Sequence, residues 1–367
     1  MIKYYKELDG VRAVAVFLVI VCHWFPPNWM FTQPLLTAMG AAGVNTFFVL
    51  SGYLISSILI QNRIDSDKSG INKYSVLKNF YVRRALRIFP IYYLMIAVLY
   101  FNRHNLDVKL NQEVFYSLTY TINFYFYKME YWGLYTTHFW SLAVEEQLYL
   151  LWPWIILFLN RKYLVHAIGG FIVVGMFTQV VHGRNEYGLL PTYTCFDSFG
   201  LGALLSWVMT MNPAVSGKFY RILSLTALLV AGLVLAQAFY GTLVFLPQRT
   251  LHSIIALWVI SSIVIPGKKT KRYLAGFLNF QPLVFAGKIS YGLYLYHLCL
   301  PYFTSIWLRV KLNRLLPPVL NDHQFYFIFM INLALLICIS WLSWILIEGP
   351  ILRLKKYFSY QGGLVLQ

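Results

Sequence analysis

The sequence has little charge, and acidic residues are especially scarce. Only 12% of its 367 residues are charged, whereas 59% are hydrophobic and 18% are aromatic. Soluble globular domains carry about 25% charged residues, so this composition excludes an ordinary soluble domain and predicts an integral membrane protein. The 30 Lys and Arg against 13 Asp and Glu give a net charge of +17. In so apolar a chain, we attribute this excess to cytoplasmic-side basic residues and an anionic ligand, and not to nucleic acid.

Cysteine is scarce as well, and several common site motifs are missing. The four cysteines lie in apolar runs, without metal-binding spacing and without the pattern of a disulfide framework. The sequence has no P-loop, no G-x-G-x-x-G fingerprint, no G-x-S-x-G nucleophile elbow and no His-x3-His pair. We therefore expect no metal site and no permanently bound cofactor.

Long apolar runs are what the sequence does contain. About 20 apolar residues are needed to span the hydrocarbon core of a bilayer, and short loops join most of these runs into one domain. The eleven runs are 8–25, 44–61, 84–101, 114–127, 138–159, 163–181, 193–211, 219–239, 245–265, 281–308 and 325–347.

The basic residues indicate which run does not cross. Lys3 and Lys6 favour an inner N-terminus, and a crossing at 114–127 would then place the basic cluster 268–272 outside, against the positive-inside rule. We therefore predict an all-α polytopic membrane bundle of about ten transmembrane helices, with a re-entrant or interfacial segment near 114–127. Both termini are expected to be cytoplasmic. The predicted membrane domain covers 1–358, and a short C-terminal tail covers 359–367.

The first apolar run carries two ionisable side chains, Arg12 and His23. Ionisable groups inside a membrane helix are costly and usually functional. The eleven steps between them cover roughly 16 Å, about half the hydrocarbon thickness. Arg12 is thus expected near the inner face and His23 in the outer half, where an imidazole suits a general base. The alternative is that His23 belongs to an interfacial aromatic belt beside Trp24.

Glu145 and Glu146 lie one to two turns below the outer end of the run 138–159. Adjacent carboxylates in a membrane helix are expensive unless they are paired or catalytic. Neighbouring residues point about 100° apart, so only one of the two can face His23 and stabilise its charged form. We take Glu145 as the catalytic candidate, although spacing does not decide between them. The alternative is a structural ion pair with a buried cation.

Three arginines, Arg83, Arg84 and Arg87, lie at the inner face, at the start of the third run. Arg84 and Arg87 are three residues apart and are therefore neighbours on a helix. Two adjacent guanidiniums form a fork that suits phosphates. The alternative is anchoring on lipid headgroups, which is the simpler interpretation for Arg83.

Further side chains are candidates for a substrate path, with packing as the alternative. Tyr291, Tyr294 and His297 recur every three residues and should share a helix face. Glu348 ends the last run at the inner face, where Arg12 is one of its possible partners. The path candidates are Asn45, Ser51, Trp140, Glu146, Tyr291, Tyr294, His297 and Glu348.

Taken together and in order, these segments resemble acyltransferase family 3, a family of membrane proteins, over nearly the whole chain. Each block alone is a weak signal, but six blocks in register form a specific pattern. The blocks are Arg12-x10-His23, Asn45–Gly52, Arg84-x-x-Arg87, Phe139-Trp140-Ser141-Leu142 with Glu145-Glu146, Ser290-Tyr291-Gly292-x-Tyr294 with His297, and Glu348-x-Pro350.

The resemblance implies a function for the whole chain. Such enzymes move an acyl group, usually acetyl, from cytoplasmic acyl-CoA to a sugar hydroxyl of an envelope glycan such as lipopolysaccharide or O-antigen. It implies His23 as the catalytic base, Arg84 and Arg87 as acyl-CoA binders with Arg83 beside them, and Arg12 as a supporting residue. It also implies a multi-pass protein of the bacterial cytoplasmic membrane. Some members carry an extra soluble hydrolase-like domain, and because this sequence ends shortly after Lys356, we expect a standalone enzyme. Acetyl-CoA would be a co-substrate, and the partners would be the glycan or lipid-linked sugar and membrane lipids.

Two other classes of function fit the same composition. A membrane glycosyltransferase or glycan polymerase would also be basic, aromatic and polytopic, with the external segment 102–137 as its loop. A lipid or solute transporter would use Arg12 and Glu145 as coupling charges. Only an acyltransferase would consume acetyl-CoA, which separates the three classes experimentally.

Overall fold

A computed structural model describes residues 4–26, 32–103, 110–183, 185–240, 246–267, 269–315 and 324–360. These residues form helices and no strands, which confirms the all-α class for this part of the chain. The α-helices are α1 Lys6–Trp24, α2 Gln33–Ser69, α3 Lys73–Phe101, α4 Leu110–Leu118, α5 Ile122–Met129, α6 Phe139–Phe158, α7 Arg161–His182, α8 Phe196–Met211, α9 Ser216–Tyr240, α10 Gln248–Val264, α11 Lys269–Leu278, α12 Gln281–Lys288, α13 Ser290–Tyr296, α14 Cys299–Leu315, α15 Gln324–Ser343 and α16 Gly349–Arg353.

Five helical stretches are long and apolar enough to cross a membrane, so the predicted count of about ten is not confirmed. Helices α8 and α10 contain 16 and 17 residues, fewer than the roughly 20 that a span requires. The side chains of 268–272, on which the predicted topology depended, lie outside the described residues. The five stretches are Gln33–Ser69, Lys73–Phe101, Arg161–His182, Pro213–Gln237 and Gln324–Phe358.

The segment near 114–127 forms two short helices, α4 and α5. They contain 9 and 8 residues, about 13 Å each at the α-helical rise, and neither is long enough to cross a bilayer. Tyr120 lies between them with φ of 53°, a left-handed conformation that reverses the chain. The amide of Gln147 holds this turn by donating to the Tyr120 carbonyl at 2.7 Å.

The prediction of one helix over 281–308 is wrong, because the structure divides this run into α12, α13 and α14. Pro301 explains the break before α14. Proline has no N–H to bond the carbonyl four residues earlier, and its ring clashes with that carbonyl. That carbonyl belongs to His297, and it accepts the indole N–H of Trp24 at 2.8 Å instead. The break therefore joins the end of α1 to the end of α13.

Glycines allow the long helix α2 to approach its neighbours closely. A Cβ atom on Gly52 would lie 2.1 Å from the Phe199 carbonyl oxygen of α8, and one on Gly43 would lie 2.4 Å from the Ala15 carbonyl oxygen of α1. Small residues at such crossings permit backbone contact between membrane helices. Helix α1, which carries Arg12 and His23, is thereby fixed against α2.

Candidate functional site

His23 lies at the end of α1 with one ring nitrogen bonded and the other open. Its Nδ1 is 3.0 Å from the Val19 carbonyl oxygen and 3.2 Å from Nε2 of His297. The two imidazole ring centres are 5.0 Å apart. Nε2 of His23 makes no hydrogen bond to any residue in the described ranges, and the residue is exposed. An accessible imidazole nitrogen of this kind can exchange protons with a substrate.

A pocket of about 290 Å³ opens beside this imidazole. Its walls are mainly apolar and include three aromatic rings, a composition suited to the flat face of a sugar or to an apolar chain. The lining residues are His23, Trp24, Leu134, Tyr135, Leu298, Pro301 and Tyr302.

Two buried histidines, His297 and His138, lie on the protein side of His23. His297 directs Nδ1 at the Tyr294 carbonyl oxygen at 2.6 Å, and His138 directs Nε2 at the Leu295 carbonyl oxygen at 3.0 Å. The rings of His138 and His297 have centres 5.0 Å apart. His138 had no predicted role, although it directly precedes the Phe139-Trp140-Ser141-Leu142 block. Tyr294 completes the group, with its hydroxyl 2.6 Å from Ser141 Oγ.

The structure does not pair a glutamate with His23, contrary to the sequence-based expectation. Glu145 accepts hydrogen bonds from Ser51 at 2.9 Å and from Tyr149 at 3.0 Å. The physical reason is depth, because Glu145 follows His138 by seven residues, about 10 Å along α6. The catalytic role of Glu145 stays a prediction, but its carboxylate does not orient the imidazole in this structure.

Glu146 is a separate, buried carboxylate. It is 8% exposed, and Oε1 has no hydrogen-bond partner among the described residues. Its charge acts on Tyr92, Tyr120 and Tyr291, which surround it. A buried acceptor without a partner is costly, so this oxygen is available to accept a hydrogen bond from a substrate group.

Four side chains form what we call the inner cation group: Arg12, Arg84, Arg87 and Lys355. The charges of Arg12 and Arg84 act on Arg87, and Lys355 lies within range of Arg84 and Arg87. Arg12 has a carboxylate partner, Asp9, at 2.7 Å. Within the described ranges the other three have no ion pair and no side-chain hydrogen bond. Gathered like charges repel, so the group is suited to bind an anion.

Glu348 lies near one of the basic residues predicted as its partners, although not near Arg12, and Arg83 contacts the C-terminal segment. Arg12 pairs with Asp9, and the carboxylate of Glu348 acts on Arg87 instead. Arg83 donates to the Lys355 carbonyl at 2.9 Å and lies 5.3 Å from the Tyr360 ring centre. The Arg83 guanidinium therefore contacts protein groups of the C-terminal segment and holds that segment against α3. Of the predicted tail, residues 361–367 lie outside the described residues, whereas Tyr360 is buried.

Three path candidates are held by protein contacts away from His23. Asn45 donates to the Ala41 carbonyl and accepts from Ser198. The guanidinium of Arg249 lies over the Trp140 ring, with its Cζ atom 4.7 Å from the ring centre. Tyr291 donates to the Ile88 carbonyl at 3.1 Å.

Known proteins resemble this chain over most of its length. The family profile described as Acyltransferase domain, of the acyltransferase 3 type, matches residues 5–348. "Putative O-acetyltransferase SACOL0978" of Staphylococcus aureus strain COL is 28% identical over 95% of this chain and 57% of its own length. "O-acetyltransferase OatA" of S. aureus strain NCTC 8325 is 28% identical over 80% of this chain and 50% of its own length. The chain thus spans about half the length of these curated relatives. No solved structure matches it.

Proposed function

The chain belongs to the acyltransferase 3 family, and from this membership we propose that it transfers an acetyl group from cytoplasmic acetyl-CoA to a hydroxyl of an envelope glycan sugar. Multi-pass membrane character follows from the apolar helices and from the family. The names of the relatives support O-acetyl transfer. We place the enzyme in the bacterial cytoplasmic membrane with both termini inside, and lipopolysaccharide or O-antigen sugars are the acceptors we favour.

The open Nε2 of His23 is the observation that carries this proposal. His23 lines a pocket with aromatic walls, while its Nδ1 contacts the Val19 carbonyl and His297. In the proposed step, Nε2 takes the proton of the acceptor hydroxyl as the oxygen attacks the thioester carbonyl. The carbon–sulfur bond then breaks, the CoA thiolate leaves, and the imidazolium returns the proton to it.

The inner cation group supports the donor side of the proposal. CoA carries its phosphates at one end and its thioester at the end of a long pantetheine arm. Arg84 and Arg87 have no ion pair among the described residues, so phosphates would be their counter-ions. Arg12 stands on the same helix as His23, roughly 16 Å away by helical rise, so this helix connects the phosphate end to the reacting end.

The test is transfer of label from acetyl-CoA to envelope glycans extracted from cells that lack this protein. Wild-type protein in detergent should consume acetyl-CoA and form an alkali-labile ester. The variant His23→Gln should lose at least about a hundredfold in rate, the usual contribution of a general base. The control His252→Gln changes a buried histidine elsewhere in the bundle, whose Nδ1 contacts the carbonyl four residues earlier as that of His23 does.

Three outcomes would contradict the proposal. Undiminished transfer by His23→Gln would remove His23 from the mechanism. Absence of thioester consumption by wild-type protein, with glycan elongation in its place, would indicate a polymerase. Substrate movement across vesicles without any consumption of the thioester would indicate a transporter.

A further inference from the structure

We infer that His297 is a positioning residue that fixes the tautomer of His23 and stabilises its protonated form, in the role first assigned to a glutamate. This inference rests on the proposed function. It stands on the 3.2 Å contact between Nδ1 of His23 and Nε2 of His297, and on the carbonyl oxygens that bond both rings.

The carbonyl contacts determine where the protons lie. A carbonyl oxygen only accepts, so the nitrogen beside it must carry hydrogen. Nδ1 of His297 therefore donates to the Tyr294 carbonyl, which leaves Nε2 of His297 as a lone-pair acceptor. Nδ1 of His23 likewise carries hydrogen and shares it between Val19 and His297. Nε2 of His23 is then unprotonated and faces the pocket as a base.

The same contact should strengthen during the reaction. When Nε2 of His23 takes the hydroxyl proton, the ring becomes an imidazolium and its Nδ1–H becomes a charged donor. Hydrogen bonds from charged donors are about twice as strong as those between neutral groups. His297 thus stabilises the charged form without meeting the substrate, whereas Val19 contributes only a fixed carbonyl of the same helix.

His297 is held rigidly enough for this role. It is fully buried, its own carbonyl accepts from Trp24, and its ring packs against His138 on one side and His23 on the other. The helix break before Pro301 frees that carbonyl. Trp24 directly follows His23 in sequence, so this bond and the ring contact both fix α1 to the end of α13.

Two variants of His297 separate positioning from packing. In His297→Gln, the side-chain oxygen can stand where Nε2 stood and accept from His23, whereas in His297→Leu no acceptor remains. We expect His297→Leu to lower kcat at least thirtyfold with KM for acetyl-CoA within twofold of wild type. We expect His297→Gln to recover at least a third of the wild-type kcat. Both should retain the wild-type melting temperature shift with CoA, which reports an intact donor site.

The contrast between these variants decides the inference. Equal kcat for Leu and Gln, whether both high or both low, would overturn it, as would a change confined to KM. A wild-type protein without transferase activity would instead overturn the proposed function. The control His252→Gln should match wild type, because His252 has no contact with His23 among the described residues.

We also infer a second residue role, on the donor side: Lys355, and not Arg83, is the third cation of the phosphate site. This too rests on the proposed function. Arg83 and Asn79 fix the C-terminal segment to α3 through the carbonyls of Lys355 and Ser359, at 2.9 and 3.0 Å. These two bonds hold the backbone of Lys355 beside the arginines of α3, where its side chain lies near enough to interact with Arg87, Arg84 and Arg83. A lysine side chain close to guanidiniums, without a carboxylate partner in the described ranges, is suited to join them in binding an anion.

The neighbouring lysine supplies a matched control. Lys356 is exposed, and its ammonium lies 4.9 Å from the Tyr357 ring centre. We expect Lys355→Gln to raise KM for acetyl-CoA about tenfold with kcat unchanged, and Lys356→Gln to leave both unchanged. With S-acetyl-pantetheine, which lacks the CoA phosphates, Lys355→Gln and wild type should have equal KM. The assignment would be overturned if the two lysine variants had equal KM for acetyl-CoA. It would also be overturned if Lys355→Gln raised KM equally for acetyl-CoA and for S-acetyl-pantetheine.

Discussion

Gly52 shows how much a single missing side chain contributes to this bundle. A Cβ atom there would meet the carbonyl oxygen of Phe199 at 2.1 Å, and that atom belongs to the α8 backbone. Backbone cannot move aside as a flexible side chain can, so α2 and α8 would have to separate. Because Ser51 and its bond to Glu145 are adjacent in α2, the separation would also move a polar contact of the interior.

We expect Gly52→Ala to destabilise the protein by about 1–3 kcal/mol, the range for overpacking a close interface. The measurement is the midpoint of thermal unfolding in detergent. The control is Gly232→Ala in α9, where the added Cβ would have no atom of another described helix within 4 Å. There the gain in helix propensity should stabilise the protein by roughly 0.5–1 kcal/mol. A midpoint for Gly52→Ala equal to that of Gly232→Ala would refute the packing argument.

The sequence predicts where single candidate residues lie along a helix better than it predicts which residues they contact. The positions of Arg12, His23, Arg84 and Arg87 follow from hydropathy and spacing alone. Their partners depend on how far each helix extends and where it breaks, which spacing along one helix cannot give. Glu145 therefore appeared level with His23, whereas the structure bonds it to Ser51 and Tyr149 and brings His297 to the imidazole.

At the scale of elements, the break between α13 and α14 has the largest effect on the candidate site. The run 281–308 is apolar throughout, so hydropathy predicts one helix. Pro301 was the signal for the break, because proline removes a helical hydrogen bond to the carbonyl four residues earlier. Because of the break, the His297 carbonyl accepts a hydrogen bond from the indole N–H of Trp24. The break also places Leu298 and Pro301 in the pocket wall.

We expect Pro301→Ala to lower the transfer rate at least tenfold without lowering stability. An alanine N–H at 301 can bond the His297 carbonyl, which would join α13 and α14 and displace the Trp24 bond. His297 would then turn with the lengthened helix and lose its contact with His23. The rate is measured with saturating acetyl-CoA, and helix content by circular dichroism. Pro282→Ala, in the first turn of α12, is the control, since proline is tolerated there. Full activity in Pro301→Ala would show that the break does not position His297.

At the scale of the whole molecule, the two candidate half-sites lie at opposite ends of α1. Arg12 belongs to the inner cation group near the start of the helix, and His23 opens to the pocket near its end. The basic excess of the chain, +17 overall, is consistent with an inner face that attracts an anionic donor. Under the proposed function, donor and acceptor would arrive from different sides of the membrane.

Membrane vesicles of defined orientation test this two-sided arrangement. Acetyl-CoA does not cross membranes, and the inner cation group should face the cytoplasm. Everted vesicles, with the cytoplasmic face outward, should therefore incorporate label from acetyl-CoA added outside. Sealed right-side-out vesicles should incorporate at least tenfold less until they are permeabilised, when both preparations should become equal. High salt should weaken incorporation at low acetyl-CoA, because phosphate contacts with partly exposed cations are screened. Equal labelling of both sealed preparations would place the donor and acceptor on one side and contradict the assignment of the inner cation group to CoA.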